Sequence, residues 1–158
     1  MDETDAYDAD IPPLLPPDQW PPLRTQADLH RQWRALMGPL GFGSRRLWLL
    51  FLDREQRATE LLVQIDDPPE DVEDGTADGL LAMCSHVLVE HDLGRVAVLL
   101  SRPGPAALTE SDRQWGRALL AAARRAHVPL APVHLANDEV LVPLTGDDLV
   151  RPRPVTAR

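Results

Sequence analysis

Leu47 to Leu52 is an unbroken apolar run, and no other feature constrains the fold as strongly. A strand with one wet face alternates polar and apolar residues. A continuous run of this length fits a strand buried on both faces, inside a sheet that carries helices on either side. Arg95 to Ser101 reads as a second central strand. Asp53 to Arg57 makes a polar turn after the first run, and Ala58 to Ile65 returns beside it, which predicts a hairpin.

Helices are expected between these strands. Thr25 can cap the first, with Asp28 placed to complement the helix dipole. Leu29, Trp33, Leu36 and Leu40 follow at helical spacing, and Gly38-Pro39 supplies the stop. A second helix is expected from about Asp78, with Leu80, Leu81, Cys84, Val87 and Leu88 facing inward. A third runs from the Thr109 and Asp112 cap to about Ala126, burying Trp115, Leu119, Leu120 and Ala123. Val128–Leu135 and Val140–Leu144 form a terminal strand pair around a turn at Asn137-Asp138, with Pro129 and Pro132 making the first of them irregular or an edge. The fold class is therefore α/β, a mixed sheet flanked by helices. The 158 residues suit one domain, expected over residues 24–146.

The ends read differently. Residues 1–23 combine Asp2, Glu3, Asp5, Asp8 and Asp10 with six prolines, from Pro12 to Pro22, and are expected to be a disordered tail. Leu14, Leu15 and Trp20 stand out there as residues able to dock on a groove. Residues 147–158 are expected to be a flexible basic tail.

Charge and cysteine content narrow the function classes. The formal net charge is −9, and every cation other than histidine is an arginine. The acidic balance disfavours nucleic acid, which needs a basic field over the contact surface. The single cysteine, Cys84, excludes an internal disulfide framework and fits a reducing compartment. The acidic start is the opposite of a secretory signal, and no apolar run approaches bilayer length. A cytoplasmic protein with protein partners and no membrane is expected, and the Ala, Pro, Asp and Arg usage fits a GC-rich bacterial genome.

No intact catalytic motif emerges. The glycines of Gly38 to Gly43 precede a strand, whereas a phosphate cradle needs them after one. The acids from Asp66 to Asp78 are out of order for a calcium loop. Cys84 and His91 are two helical turns apart and His86 points elsewhere, so they cannot share one tetrahedral ion. His127 closes a helix, and His134 has no assigned role. No serine sits in a nucleophile-elbow context.

The order of elements from Arg95 to Leu144 does resemble a known family. An apolar strand, a Pro-Gly loop, Thr-x-x-Asp opening a long helix and Val-Pro-Leu entering a strand pair are similar to the RadC-like branch of the JAMM (MPN, JAB) fold. The hairpin Leu47–Ile65, with Leu-Phe-Leu-Asp ending at Asp53, looks like that family's opening strands, and the likeness covers about residues 44–144. It implies a three-layer architecture of the cytidine-deaminase-like kind. In the family the strand ends in His-x-His-Pro-Ser-Gly, followed by Ser-x-x-Asp. Here Leu100 and Arg102 stand where the two metal-binding histidines would lie, Arg45 near the catalytic glutamate and Thr109 at the serine, and Asp112 alone keeps its identity. The resemblance thus implies a degenerate domain without metal, cofactor or catalytic residues, more a scaffold or interaction domain than an enzyme. Arg45, Arg46 and Arg102 become candidates for binding an anion or partner, unless they pair with Asp53 and Asp112. The alternative is a hydrolase with an altered metal site that uses Asp112 and His134.

Overall fold

The structure, a computed structural model, describes residues 11–149, with the side chains of Asp74, Asp147 and Asp148 left aside. Its elements in chain order are α1 (Gln26–Met37), β1 (Arg46–Leu52), β2 (Ala58–Asp66), α2 (Asp74–Glu90), β3 (Arg95–Ser101), α3 (Glu110–Ala126), β4 (His134–Ala136), β5 (Leu141–Pro143) and a short α4 (Gly146–Leu149). The five strands lie in the order β2-β1-β3-β4-β5. β1 pairs antiparallel with β2 and β3, β3 pairs parallel with β4, and β4 turns antiparallel into β5, so the sheet is mixed.

The unbroken apolar runs are central strands because each face has a helix layer to meet. Leu47, Leu49 and Phe51 share one core with Val96, Val98, Leu100 and Leu135, closed by Leu81 and Cys84 of α2 and Trp115 and Leu119 of α3. Trp48, Leu50 and Leu52 join Ala97, Leu99 and Ala136 on the other face, under Leu29 and Trp33 of α1. Strand side chains alternate between faces, so β1 and β3 feed both cores at once. Thr25 and Thr109 each close a capping box with the aspartate three residues on, satisfying helix N–H groups that would otherwise lack partners. The hairpin turn is held by Asp53 Oδ1, which accepts from the amides of Glu55 and Arg57. Gly94 then passes so close to this turn that a Cβ there would lie 2.8 Å from the Asp53 carbonyl oxygen.

Three expected boundaries shift. α2 begins at Asp74, a turn earlier than expected, under Glu73. β4 keeps only three residues, because Pro129 and Pro132 remove amide donors upstream of it and leave one isolated bridge between Leu130 and Val96. The packed chain reaches a little beyond the expected residues 24–146. Residues 1–10 and 150–158 lie outside the described residues; among the described ones Pro13 to Gln19 are exposed and packing begins at Trp20. Trp20 and Leu23 are buried in the α1-side core, the Leu23 amide donates to the Gln56 carbonyl at 2.7 Å, and the Trp20 indole N–H donates to the Leu15 carbonyl at 2.7 Å. At the other end Leu149 is buried against Gly116 of α3, whose missing side chain admits it, and its carbonyl accepts from Arg117. No described helix is long and apolar enough to cross a membrane.

Candidate functional site

The C-terminal end of β3, the Pro103–Pro105 loop and the first turn of α3 enclose a cleft of about 560 Å³. Arg45, Arg102, Glu70, Asp71, Glu110 and Ser111 are among its lining residues.

Arg102 is the residue around which this end is built. It is only 6% exposed, and Asp112 only 2%. Its Nε donates to Asp112 Oδ1 at 2.9 Å and Oδ2 at 3.0 Å, and one terminal nitrogen donates to Oδ2 at 2.8 Å. That nitrogen also reaches the Ala107 carbonyl at 2.9 Å, while the other bonds the carbonyls of Pro103 and Pro105 at 3.1 and 3.2 Å. A guanidinium has five N–H groups, and each has an acceptor here. Asp112 Oδ2 additionally accepts from the Thr109 amide, so one carboxylate joins the ion pair to the helix cap.

Arg45, just before β1, lines the same cleft. It donates to Ser111 Oγ at 3.1 Å, and the Ser111 hydroxyl donates to the Glu70 carbonyl at 2.6 Å. Arg46, the first residue of β1, lies 5.8 Å above the Trp48 ring and pairs with Asp66 at 2.7 Å on the surface. Arg45, Arg46 and Arg102 all line one small recess at this end, together with Asp112, but acids stand beside their charge. Arg102 is neutralised by Asp112, Arg46 by Asp66, and Arg45 faces a cleft that also holds Glu70, Asp71 and Glu110. Asp53, expected as an arginine partner, serves its turn instead.

Asp112 and His134 are not brought together. His134 aligns with Leu99 in the β3–β4 ladder and so faces the α1 side, where its ring lies 6.4 Å from that of His30. Asp112 and Arg102 lie at the head of α3, on the opposite face. His134 is fully buried; its Nδ1 bonds the Pro132 carbonyl at 3.0 Å, and its Nε2 has no partner among the described residues. Because a carbonyl only accepts, Nδ1 carries the proton. Burial pulls the His134 pKa down to about 4, so the ring is neutral near pH 7.

The residues present do not fit the metal that the family resemblance would bring. A zinc site wants three or four lone-pair donors converging on one point. Beside Asp112 stands a guanidinium with donors only, and the carboxylate has room for one cation. Cys84 is buried in the α2-side core, its thiol pushed up to about 11 by desolvation, and His86 and Glu90 form their own pair on the helix surface.

One feature of this region escaped sequence reasoning. Asp138, expected only as a turn residue, accepts from the amides of Phe42 and Gly104 at 3.2 and 2.8 Å and so ties three loops together. Its pKa is held below the usual carboxylate range, chiefly by the Gly104 and then the Phe42 amide. A second groove of about 370 Å³ lies on the α1 side, between Pro12–Leu15, Trp20 and Arg31. The only signal for it was the set Leu14, Leu15 and Trp20 among prolines.

Set against known proteins, the chain matches no family model and no curated protein sequence.

Proposed function

We propose that this chain is a non-catalytic protein-interaction or scaffold domain, a JAMM-like architecture in which an internal ion pair replaces the metal centre. The observation that carries this reading is the fully bonded Arg102. A group whose five donors are all engaged inside the protein is a structural plug, and the sequence resemblance aligns it with a metal ligand of that family. A catalytic hydrolase reading would need Asp112 and a histidine on one side of the sheet.

The contact elements best suited to a protein partner are the proline-lined groove, with Leu14 55% exposed at its mouth, and the β2 and β5 edges of the sheet. The test has two arms. Tag-free protein purified without chelators is assayed for zinc by plasma mass spectrometry; stoichiometric zinc that is lost on Asp112→Ala would overturn the reading. In parallel, partners crosslinked to the chain in its own cells are compared with those of Leu14→Asp/Leu15→Asp. The reading expects metal-free folded protein and a discrete partner set that the double variant loses.

A further inference from the structure

Helix α1 presents arginines that the described residues leave without an acid. Arg31 and Arg34 are neighbours one turn apart on it, and Arg24 stands just before its cap. None of the three forms an ion pair among the described residues. Asp28 is the only acid on the helix, and its Oδ2 is taken by the Arg24 and Thr25 amides at the cap, with Arg31 acting on it only from a distance. Arg34 Nη1 is moreover buried with no acceptor among the described residues, and a buried guanidinium nitrogen calls for one. Such a patch is an exception on a chain of net charge −9. It also borders the proline-lined groove, of which Arg31, Gln32 and Ala35 form one wall and Pro12, Pro13 and Leu15 the other.

We infer that the acidic leader, residues 2–10, folds back over this groove and lies along Arg31 and Arg34, so that the chain covers its own groove. Charge selects this occupant. Asp2, Glu3, Asp5, Asp8 and Asp10 bring five carboxylates, and residues 1–10 hold no arginine. Position selects it as well. The described chain starts at Ile11, beside Pro12 on the groove wall, so the leader begins across the groove from Arg31. Asp8 and Asp5 stand three and six residues before Ile11, a reach of about 10 and 20 Å, against about 18 Å for the whole of α1. Tethering holds these acids at an effective concentration on the millimolar scale, an advantage that no acidic partner in trans has. Tyr7 is the leader's one aromatic, and the groove offers it the apolar walls of Leu15, Trp20 and Ala35. The three arginines after Leu149 are the leader's other candidate, but Leu149 packs in the α2–α3 core, across the sheet from the groove. Whatever enters the groove must displace an anionic segment, so entry becomes easier as salt rises. The contact stands whether or not a partner uses the groove.

The test uses the full chain, isotope-labelled for nuclear magnetic resonance, with a nitroxide on Thr4→Cys. Cys84 is fully buried and stays unlabelled. In salt of about 20 mM, where charges act over long range, the amide signals of Ala27 to Ala35 should lose most of their intensity to the nitroxide. In salt of about 1 M, where screening cuts that range to about 3 Å, they should recover it. Arg24→Gln/Arg31→Gln alters two exposed side chains and should give the same recovery at low salt, with the fold kept by circular dichroism. Asp5→Asn/Asp8→Asn/Asp10→Asn should do the same from the leader's side. Undiminished α1 signals at low salt would overturn the inference. So would broadening centred on Ser111 and the Arg45 cleft, or on the residues after Leu149. Broadening of α1 that neither salt nor the arginine variant relieves would overturn it too, since proximity along the chain would then explain it without charge.

Discussion

His134 and Asp112 stand on opposite faces of one sheet, although each lies near the end of a neighbouring element and either could serve as a metal ligand by residue type. The sheet itself separates them. β4 presents His134 and Ala136 to α1 and Leu135 to α2 and α3, so no rotamer change carries the imidazole across. Each group is instead used locally, His134 as a neutral buried ring and Asp112 as the anion that holds Arg102.

The Arg102–Asp112 pair predicts an asymmetric response to mutation. Arg102→Met leaves a carboxylate buried without its cation, and breaking a buried pair in this way costs about 3–5 kcal/mol. Replacing both residues, as in Arg102→Met/Asp112→Leu, removes the orphaned charge and should cost less than Arg102→Met alone, despite the lost helix cap. Urea denaturation of the wild type and both variants checks this. A loss below about 1 kcal/mol for Arg102→Met would mean that the pair is not what organises the end of β3.

Burial of His134 predicts a stability change in mildly acidic solution. Its pKa falls from the ordinary 6.5 to about 4 in the fold. The unfolded chain therefore takes up a proton between those values that the folded chain does not. Stability is complete above pH 6.5 and falls as the pH drops toward 4, by about 3 kcal/mol at 1.36 kcal/mol per unit. His134→Gln, which cannot titrate, should flatten that part of the profile when denaturant midpoints are measured from pH 7.5 to 4. An unchanged slope would place the sensitivity elsewhere.

Asp138 acts at lower pH and with a different sign of charge. Its carboxylate is favoured in the fold by the Gly104 and Phe42 amides, so its contribution is present above the unfolded carboxylate pKa and lost as the pH falls through the depressed native value. Asp138→Ala should lower the melting temperature clearly at pH 7 and much less at pH 2.5. Equal losses at both would show that only the side chain's volume matters.

The layered α/β core was legible because its signal is local. Leu47–Leu52 and Arg95–Ser101 have no polar face, and the Thr25–Asp28 and Thr109–Asp112 spacings mark helix starts within four residues. What the sequence did not disclose depends on contacts distant along the chain. Asp138 looked like a turn residue because its partners, Phe42 and Gly104, are far away in sequence. Arg45, Arg46 and Arg102 looked equivalent on composition, and only their partners tell them apart: Ser111 for the first, Asp66 for the second, and for the third Asp112 with the Pro103–Pro105 loop, whose carbonyls close over its guanidinium. The start of the packed chain was misjudged for the same reason. Six prolines argue against a long helix or a sheet strand, but not against a strap with one short 3-10 turn at Pro17–Gln19 that sets Trp20 and Leu23 into the core.

That strap makes the last prediction. Trp20 is 9% exposed and packs in the α1-side core with Leu23, while its indole N–H fixes the Leu15 carbonyl and the following Pro22 bridges to Arg57 beside β2. A solvated tail would tolerate any substitution here. A packed strap would not: truncating a buried tryptophan costs about 3–5 kcal/mol. Trp20→Ala should therefore lower global stability and also expose the Pro12–Leu23 segment to protease. Leu14→Ala, at a residue 55% exposed, should do neither. Limited proteolysis with mass mapping, run beside urea denaturation, reads both effects. If Trp20→Ala left the denaturation midpoint unchanged, the segment would be a passenger on α1 and the groove it walls would lose its frame.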